Sequence, residues 1–255
     1  IGHNILGKAE LLVNYTTEDA KRFVAKHYSP REMVFFTLGD INFKQLIRWA
    51  EKYLTTESAP ERVLERVAPT VYTPSRREII KNTHQVHFIV GNRAYDLYHP
   101  KRMGLYLLNN ILGGPGMNSL LNLSLREKHG LVYNVDSNYQ PFVDTGMWSV
   151  YFGCDVENAA KCEQLVYAEL QKLREQPLPE SSLKKYKLQL LGQMAIGSEQ
   201  KENLALSYGK SFMRYGKIDD LETVRKKINV ITAEELQTIA QEIFQVEQLS
   251  VLRYI

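Results

Sequence analysis

The sequence lacks most of the patterns that would assign a protein class at once. Its 255 residues include two cysteines, Cys154 and Cys162, which are too few for a disulfide framework. The net charge of +3 is too small to argue for binding to nucleic acid or to an anionic membrane surface. No apolar run approaches the length of a transmembrane helix. What remains is a chain of mixed charge, long enough for one large domain or two smaller ones.

Histidine is also sparse, and its positions do not predict a metal site. None of the six histidines has a metal-ligand spacing: His3, His27, His84, His87, His99 and His129. The glycine-rich stretch Gly113–Gly116 is not a phosphate-binding loop, because no Gly-Lys-Ser/Thr follows it. We therefore expect these residues to bind no zinc or other metal by themselves.

The most informative stretch runs from Gly113 to Tyr133. After the glycines, the sequence predicts a helix over Met117–His129, with Arg126 in its last turn. Gly130 suits the residue just past a helix end, where a left-handed backbone favours glycine. Tyr133 then begins a strand, so Arg126 and Tyr133 can project into one region. A guanidinium beside a phenol suits an oxyanion or a peptide carbonyl, although on spacing alone an Arg stem packed on a Tyr ring is the preferred interpretation.

Hydrophobic periodicity predicts a mixture of helices and strands. Helices are expected at Lys8–Asn14, from Thr17 to before Ser29, at Asn42–Leu54, Pro100–Leu112, after Asp155, at Glu180–Tyr215, Asp219–Lys227 and Ala233–Phe244. Strands are expected at Met33–Leu38, in the region Arg77–Val90, at Val132–Tyr139, Met147–Phe152 and Leu249–Ile255, with the third and fourth forming a hairpin.

The chain also contains an internal repeat. Residues 15–24 match residues 231–240 without gaps, at an offset of 216 residues (232 − 16), with Thr16 opposite Thr232 and Glu18 opposite Glu234. The match continues into the following apolar run, where Met33 corresponds to Leu249. We interpret residues 77–255 as one complete copy of a repeated domain and residues 1–56 as the tail of the preceding copy. Residues 57–76, which hold several prolines and charges, are interpreted as the interdomain linker.

Several of these strings resemble the insulinase/pitrilysin-type zinc peptidases, in particular their processing-peptidase-like branch. The end of that family's first domain is similar to three parts of this sequence: Gly2–Lys8, Phe23 with Tyr28–Pro30, and Met33–Asp40. The signature of its second domain is similar to Leu112–Gly114 with Ser119–Leu121, followed by Leu125–Tyr133. The resemblance spans nearly the whole chain.

The resemblance implies a fold and a site. The fold class would be α+β, a repeated domain of a mostly antiparallel sheet covered by helices. In the family, the first domain carries the zinc motif H-x-x-E-H, and the second supplies an Arg and a Tyr to the substrate; these correspond to Arg126 and Tyr133. No H-x-x-E-H occurs in this sequence. The zinc would therefore belong to a region upstream of Ile1.

Two functions follow from the resemblance. The first is the substrate-binding C-terminal portion of a zinc endopeptidase that hydrolyses peptides or presequences, inactive without the zinc-motif region. The second is a non-catalytic scaffold or partner subunit of the same fold. The expected partners are a peptide or unfolded polypeptide and the N-terminal domain of the same chain, with a homodimer left open, and without nucleic acid or membrane. The chain does not begin with methionine, so its compartment is not readable, and the cytoplasm is the default expectation.

Overall fold

The structure is a computed structural model that describes residues 4–54, 67–81 and 83–255, without the side chain of Arg31. The α-helices of these residues are α1 (Ala9–Leu12), α2 (Thr17–His27), α3 (Phe43–Tyr53), α4 (Arg102–Gly113), α5 (Ala159–Glu175), α6 (Glu180–Glu199), α7 (Lys201–Tyr215), α8 (Leu221–Asn229) and α9 (Ala233–Ile243). The strands are β1 (Arg76–Ile79), β2 (Val86–Ala94), β3 (Val132–Pro141), β4 (Gly146–Cys154) and β5 (Ser250–Tyr254). A π-helix spans Asn122–Lys128, and short 3₁₀ helices span Pro30–Glu32, Val156–Asn158 and Val246–Gln248.

The strands form one sheet in the order β1-β5-β2-β4-β3. Only β1 and β5 are parallel; the other neighbours are antiparallel. Side chains along β2 and β4 alternate between a buried side and a more exposed side, as expected when helices cover one face of a sheet. Helices α4 and α9 pack on the buried face, where Phe88, Trp148 and Phe152 are fully enclosed. The predicted α+β class, with a mostly antiparallel sheet covered by helices, is confirmed.

Contacts divide the chain into two units. The larger unit consists of the described residues of 65–195 and 220–255, and it contains the whole sheet. The smaller unit consists of the described residues of 1–64 together with 196–219, and it contains α1, α2, α3 and α7. The predicted domain limits, 1–56, 57–76 and 77–255, remain a prediction, and residues 57–66 of the proposed linker lie outside the described residues.

The internal repeat is matched by the local structure. Thr16 and Thr232 cap helices α2 and α9, each accepting a hydrogen bond from the backbone N–H three residues later. Both the helices and the 3₁₀ helices that follow them, Pro30–Glu32 and Val246–Gln248, have bounds that differ by the same offset of 216 residues (246 − 30). The two copies thus share the same caps and lengths.

Four expectations about secondary structure were wrong in part. The expected buried strand Met33–Leu38 has no strand partner among the described residues, and Phe35 is 59% exposed. The region Arg77–Val90 divides into β1 and β2. The long helix Glu180–Tyr215 breaks at Gln200, which has an extended backbone. The predicted helix Met117–His129 begins with a turn and continues mainly as a π-helix.

Candidate functional site

Arg126 and Tyr133 are brought together by the end of the π-helix and the start of β3. Gly130 has a φ of +62°, and its N–H donates to the carbonyl of Arg126 at 2.9 Å. The N–H of Leu131 donates to the carbonyl of Leu125, also at 2.9 Å. The first of these bonds is the one that defines the αL motif at a helix end, and the left-handed Gly130 turns the chain at once into the strand. The predicted left-handed Gly130 is confirmed.

The guanidinium of Arg126 lies over the ring of Tyr133. Its Cζ is 6.0 Å from the ring centroid, at the outer limit of a cation–π contact. The Nε of Arg126 also lies 3.5 Å from a carboxylate oxygen of Glu127. Tyr133 is 89% exposed. The pair therefore presents a forked cation and a phenol to solvent, while the same contact also fits an Arg packed on a Tyr ring.

The π-helix that carries Arg126 is held at both of its ends. At the beginning, the Nδ2 of Asn122 donates to the Oγ of Ser119 at 2.8 Å, with both side chains buried. At the end, Nδ1 of His129 lies 2.7 Å from the carbonyl oxygen of Ser124. This carbonyl is one of the last acceptors of the helix, which no further turn can pair. The capping role of His129 was not predicted, because the sequence does not show which carbonyl a π-helix leaves open.

A β-bulge shapes the surface next to Tyr133. The register of β3 against β4 shifts between Val132 and Val135, which takes Tyr133 out of the regular ladder. A cavity of about 290 Å³ opens there, lined by Gln85, Gly130, Leu131, Val132, Tyr133, Gly153, Cys154 and Asp155. The exposed phenol thus stands at the rim of a hollow rather than on a flat surface.

The glycine-rich loop before the π-helix is a turn fixed by amide contacts. Asn118 donates to the side chain of Gln189 at 2.7 Å, and Asn110 donates to that of Gln193 at 2.9 Å. A Cβ on Gly113 would lie 2.7 Å from the backbone nitrogen of Ser137, so glycine is required where α4 meets β3. The glycine-rich loop therefore has a structural role, as a close turn between α4 and the π-helix.

A metal site needs several ligand side chains that converge on one point. Among the described residues, no group of three or more His, Cys, Asp or Glu side chains could hold an ion. These residues do not fit a zinc site, and the expectation that they bind no zinc remains a prediction. In the same residues, no helix is both long and apolar enough to span a bilayer.

The class of domain follows from comparison with known protein families. Residues 14–190 match the family described as the peptidase M16 inactive domain, and the chain belongs to this family. It is 25% identical over 244 residues to an uncharacterized zinc protease of Bacillus subtilis, covering 96% of this chain and 59% of that protein.

Two solved structures share the fold. One is a peptidase M16 inactive domain from Pseudomonas fluorescens, with a TM-score of 0.81 and 18% identity, covering 99% of this chain and 60% of the other. The other is a chain of Complex III2 from Candida albicans, with a TM-score of 0.81 and 15% identity, covering 99% of this chain and 62% of the other. The chain spans less than two thirds of the length of each of these proteins.

Proposed function

We propose that this chain is the substrate-binding C-terminal part of a zinc endopeptidase, and that Arg126 and Tyr133 contact the peptide. The observation that carries the proposal is the exposed phenol of Tyr133 beside the guanidinium of Arg126. The names of the bacterial relatives as zinc proteases support a peptidase parent. Since the described residues do not fit a zinc site, the metal would belong to another part of the protein.

The two side chains would act on the carbonyl of the scissile bond. During peptide hydrolysis the carbonyl oxygen gains negative charge, so a hydroxyl donor placed beside it stabilises the transition state more than the substrate. Arg126 would bind the peptide backbone through its fork of N–H donors, which an ammonium cannot reproduce. The open position of Tyr133 leaves its hydroxyl accessible to a carbonyl.

Variants of the full-length protein that contains this chain test the proposal. Tyr133→Phe keeps the ring and removes one donor, so kcat should fall about 10²-fold with folding intact. Arg126→Ala should impair both KM and kcat, and Arg126→Lys should not restore them fully. Tyr15→Phe, at an exposed tyrosine of the smaller unit, is the matched control and should leave kcat/KM unchanged. If Tyr133→Phe retained wild-type kcat/KM but unfolded at a lower temperature, the pair would be structural.

A second candidate is a non-catalytic scaffold or partner subunit. The family is described as an inactive domain, and the fold also occurs in Complex III2 of Candida albicans. In that case the full-length protein would hydrolyse no peptide even with zinc supplied. The presence or absence of H-x-x-E-H upstream of Ile1 distinguishes the two candidates before any assay.

We also propose the N-terminal domain of the same chain as a partner of the smaller unit. None of the residues of α1, α2 and α3 is buried, and Phe43 and Trp49 on α3 are exposed. Several large apolar side chains exposed on one short segment are typical of a surface that another part of a protein covers. Alternatively, a second copy of the chain could cover these side chains in a homodimer.

A further inference from the structure

His129 closes the π-helix that carries Arg126, and it does so with both its backbone and its side chain. Its backbone N–H donates to the carbonyl of Arg126, and Nδ1 of its ring lies 2.7 Å from the carbonyl oxygen of Ser124. The N–H of Gly130 adds a second bond to the carbonyl of Arg126, at 2.9 Å. The backbone is therefore held on both sides of the Arg126 side chain.

The contact with Ser124 defines the protonation of the His129 ring. A carbonyl oxygen only accepts hydrogen bonds, so the proton must lie on Nδ1, and the neutral ring then has no proton on Nε2. Ser124 is buried, whereas His129 is exposed. The ring thus joins the exposed end of the π-helix to a residue on its buried side.

The side-chain contacts of Arg126 are long and do not fix the guanidinium closely. Its Nε lies 3.5 Å from a carboxylate oxygen of Glu127, and its Cζ lies 6.0 Å from the ring centroid of Tyr133. The direction of the guanidinium therefore depends on the backbone from which the side chain starts. A π-helix is an uncommon conformation, and an α-helical end has fewer residues in each turn. A return to the α-helical pattern would place Arg126 at a different angle about the helix axis.

We propose that His129 is a positioning residue for Arg126, and that the bond from its ring to Ser124 sets the angle at which the guanidinium meets the peptide. The inference rests on the proposed function, because it needs Arg126 to bind peptide. His129 contacts no substrate in this role and acts through the end of the π-helix. Its effect on hydrolysis should therefore be present only as long as Arg126 is present.

The first test determines the protonation of the His129 ring in the chain itself. In mildly alkaline solution histidine is neutral, and long-range proton–nitrogen correlation spectra then distinguish a protonated ring nitrogen from an unprotonated one. Nδ1 of His129 should carry the proton. A neutral ring protonated on Nε2 would overturn the proposal. This measurement uses the wild-type chain, so it decides the question even if a variant does not fold.

The second test measures kcat/KM in the full-length protein that contains this chain. His129→Ala should lower kcat/KM about fivefold, the effect expected of one hydrogen bond. His129→Asn should restore most of the loss, because the amide nitrogen of asparagine takes the place of Nδ1. Lys128→Ala, at an exposed neighbour in the same helix end, is the matched control and should leave kcat/KM unchanged. Equal kcat/KM in the wild type and His129→Ala would overturn the proposal.

A double mutant separates positioning from a general effect on stability. Combined with Arg126→Ala, His129→Ala should lower kcat/KM no further, because the side chain that it positions is gone. A loss of the same size with and without Arg126 would mean that His129 only stabilises the fold, and it would overturn the proposal. Failure of the proposed function is a different outcome, since Arg126→Ala alone would then leave kcat/KM unchanged.

Discussion

The carboxylate of Glu163, on α5, binds arginines from two neighbouring strands at the edge of the sheet. Its carboxylate is 8% exposed and accepts two hydrogen bonds from Arg76 of β1, at 2.8 and 2.9 Å, and another from Arg253 of β5. Burial alone would raise the pKa of Glu163, but the hydrogen bonds from Arg76 and the charge of Arg253 outweigh it and lower that pKa. One helix side chain thus ties together the two strands that pair in parallel.

Glu163→Gln should therefore lower the free energy of unfolding at neutral pH by about 2 kcal/mol, because two arginines lose a charged acceptor. The pKa of Glu163 is lowered on folding, so the contribution is complete above the unfolded-state pKa and is lost as the pH falls through the folded-state value. The gap between wild type and variant should accordingly narrow in acid, as urea unfolding at several pH values can show. Glu157→Gln, at an exposed glutamate just before α5, should change stability by less than about 0.5 kcal/mol. An equal loss in both variants would contradict this role.

The sequence predicted that Arg126 and Tyr133 lie close together, but it did not predict the contacts that hold them there. Gly130 indicates a helix end, and a strand that starts three residues later fixes which side chains are neighbours. The capping by His129 depends on the π-helical pattern, which has no distinct residue code. The bulge at Tyr133 and the cavity beside it depend on the pairing of β3 with β4, two strands whose register no local pattern specifies.

At the scale of elements, the same apolar pattern gave a correct strand in one copy of the repeat and a wrong one in the other. Leu249–Ile255 contains β5, which pairs with β1 and β2. Met33–Leu38 is the corresponding run, yet no described residue pairs with it. Local propensity is similar in both, so the difference lies in the partners, because a strand is stabilised by its neighbours. Helices were predicted more reliably, since their hydrogen bonds and caps are local.

The turn after the π-helix can be tested with a pair of glycine substitutions. Gly130→Ala places a Cβ in open space but on a left-handed backbone, so stability should fall by about 1 kcal/mol. Gly192→Ala, inside α6, also meets no atom within 4 Å, and there alanine should raise stability by about 0.5 kcal/mol. Thermal unfolding of the two variants measures the difference. A gain at both positions would show that Gly130 does not need its left-handed backbone.

At the scale of the whole molecule, the repeat contains two corresponding helices, α2 and α9, that differ in how far their side chains are buried. Helices α2 and α9 both have eleven residues and a threonine cap. In α9, side chains including Leu236, Ile239 and Ile243 are buried, whereas α2 has no buried residue. Since most helical stability in proteins comes from packing an apolar face, equal caps do not give equal stability. The difference between the two copies is thus one of packing.

Hydrogen exchange should therefore separate the two copies of the repeat. Amides of α2 should exchange about two orders of magnitude faster than those of α9, because opening a helix with no buried side chain costs little free energy. Amides of Met147–Phe152, in the centre of β4, should be protected at least as well as those of α9, since β4 is paired on both sides. Equal protection in α2 and α9 would mean that the smaller unit is covered in solution by the larger unit or by a second copy. Repeating the measurement over a range of chain concentrations distinguishes these, because only protection by a second copy increases with concentration.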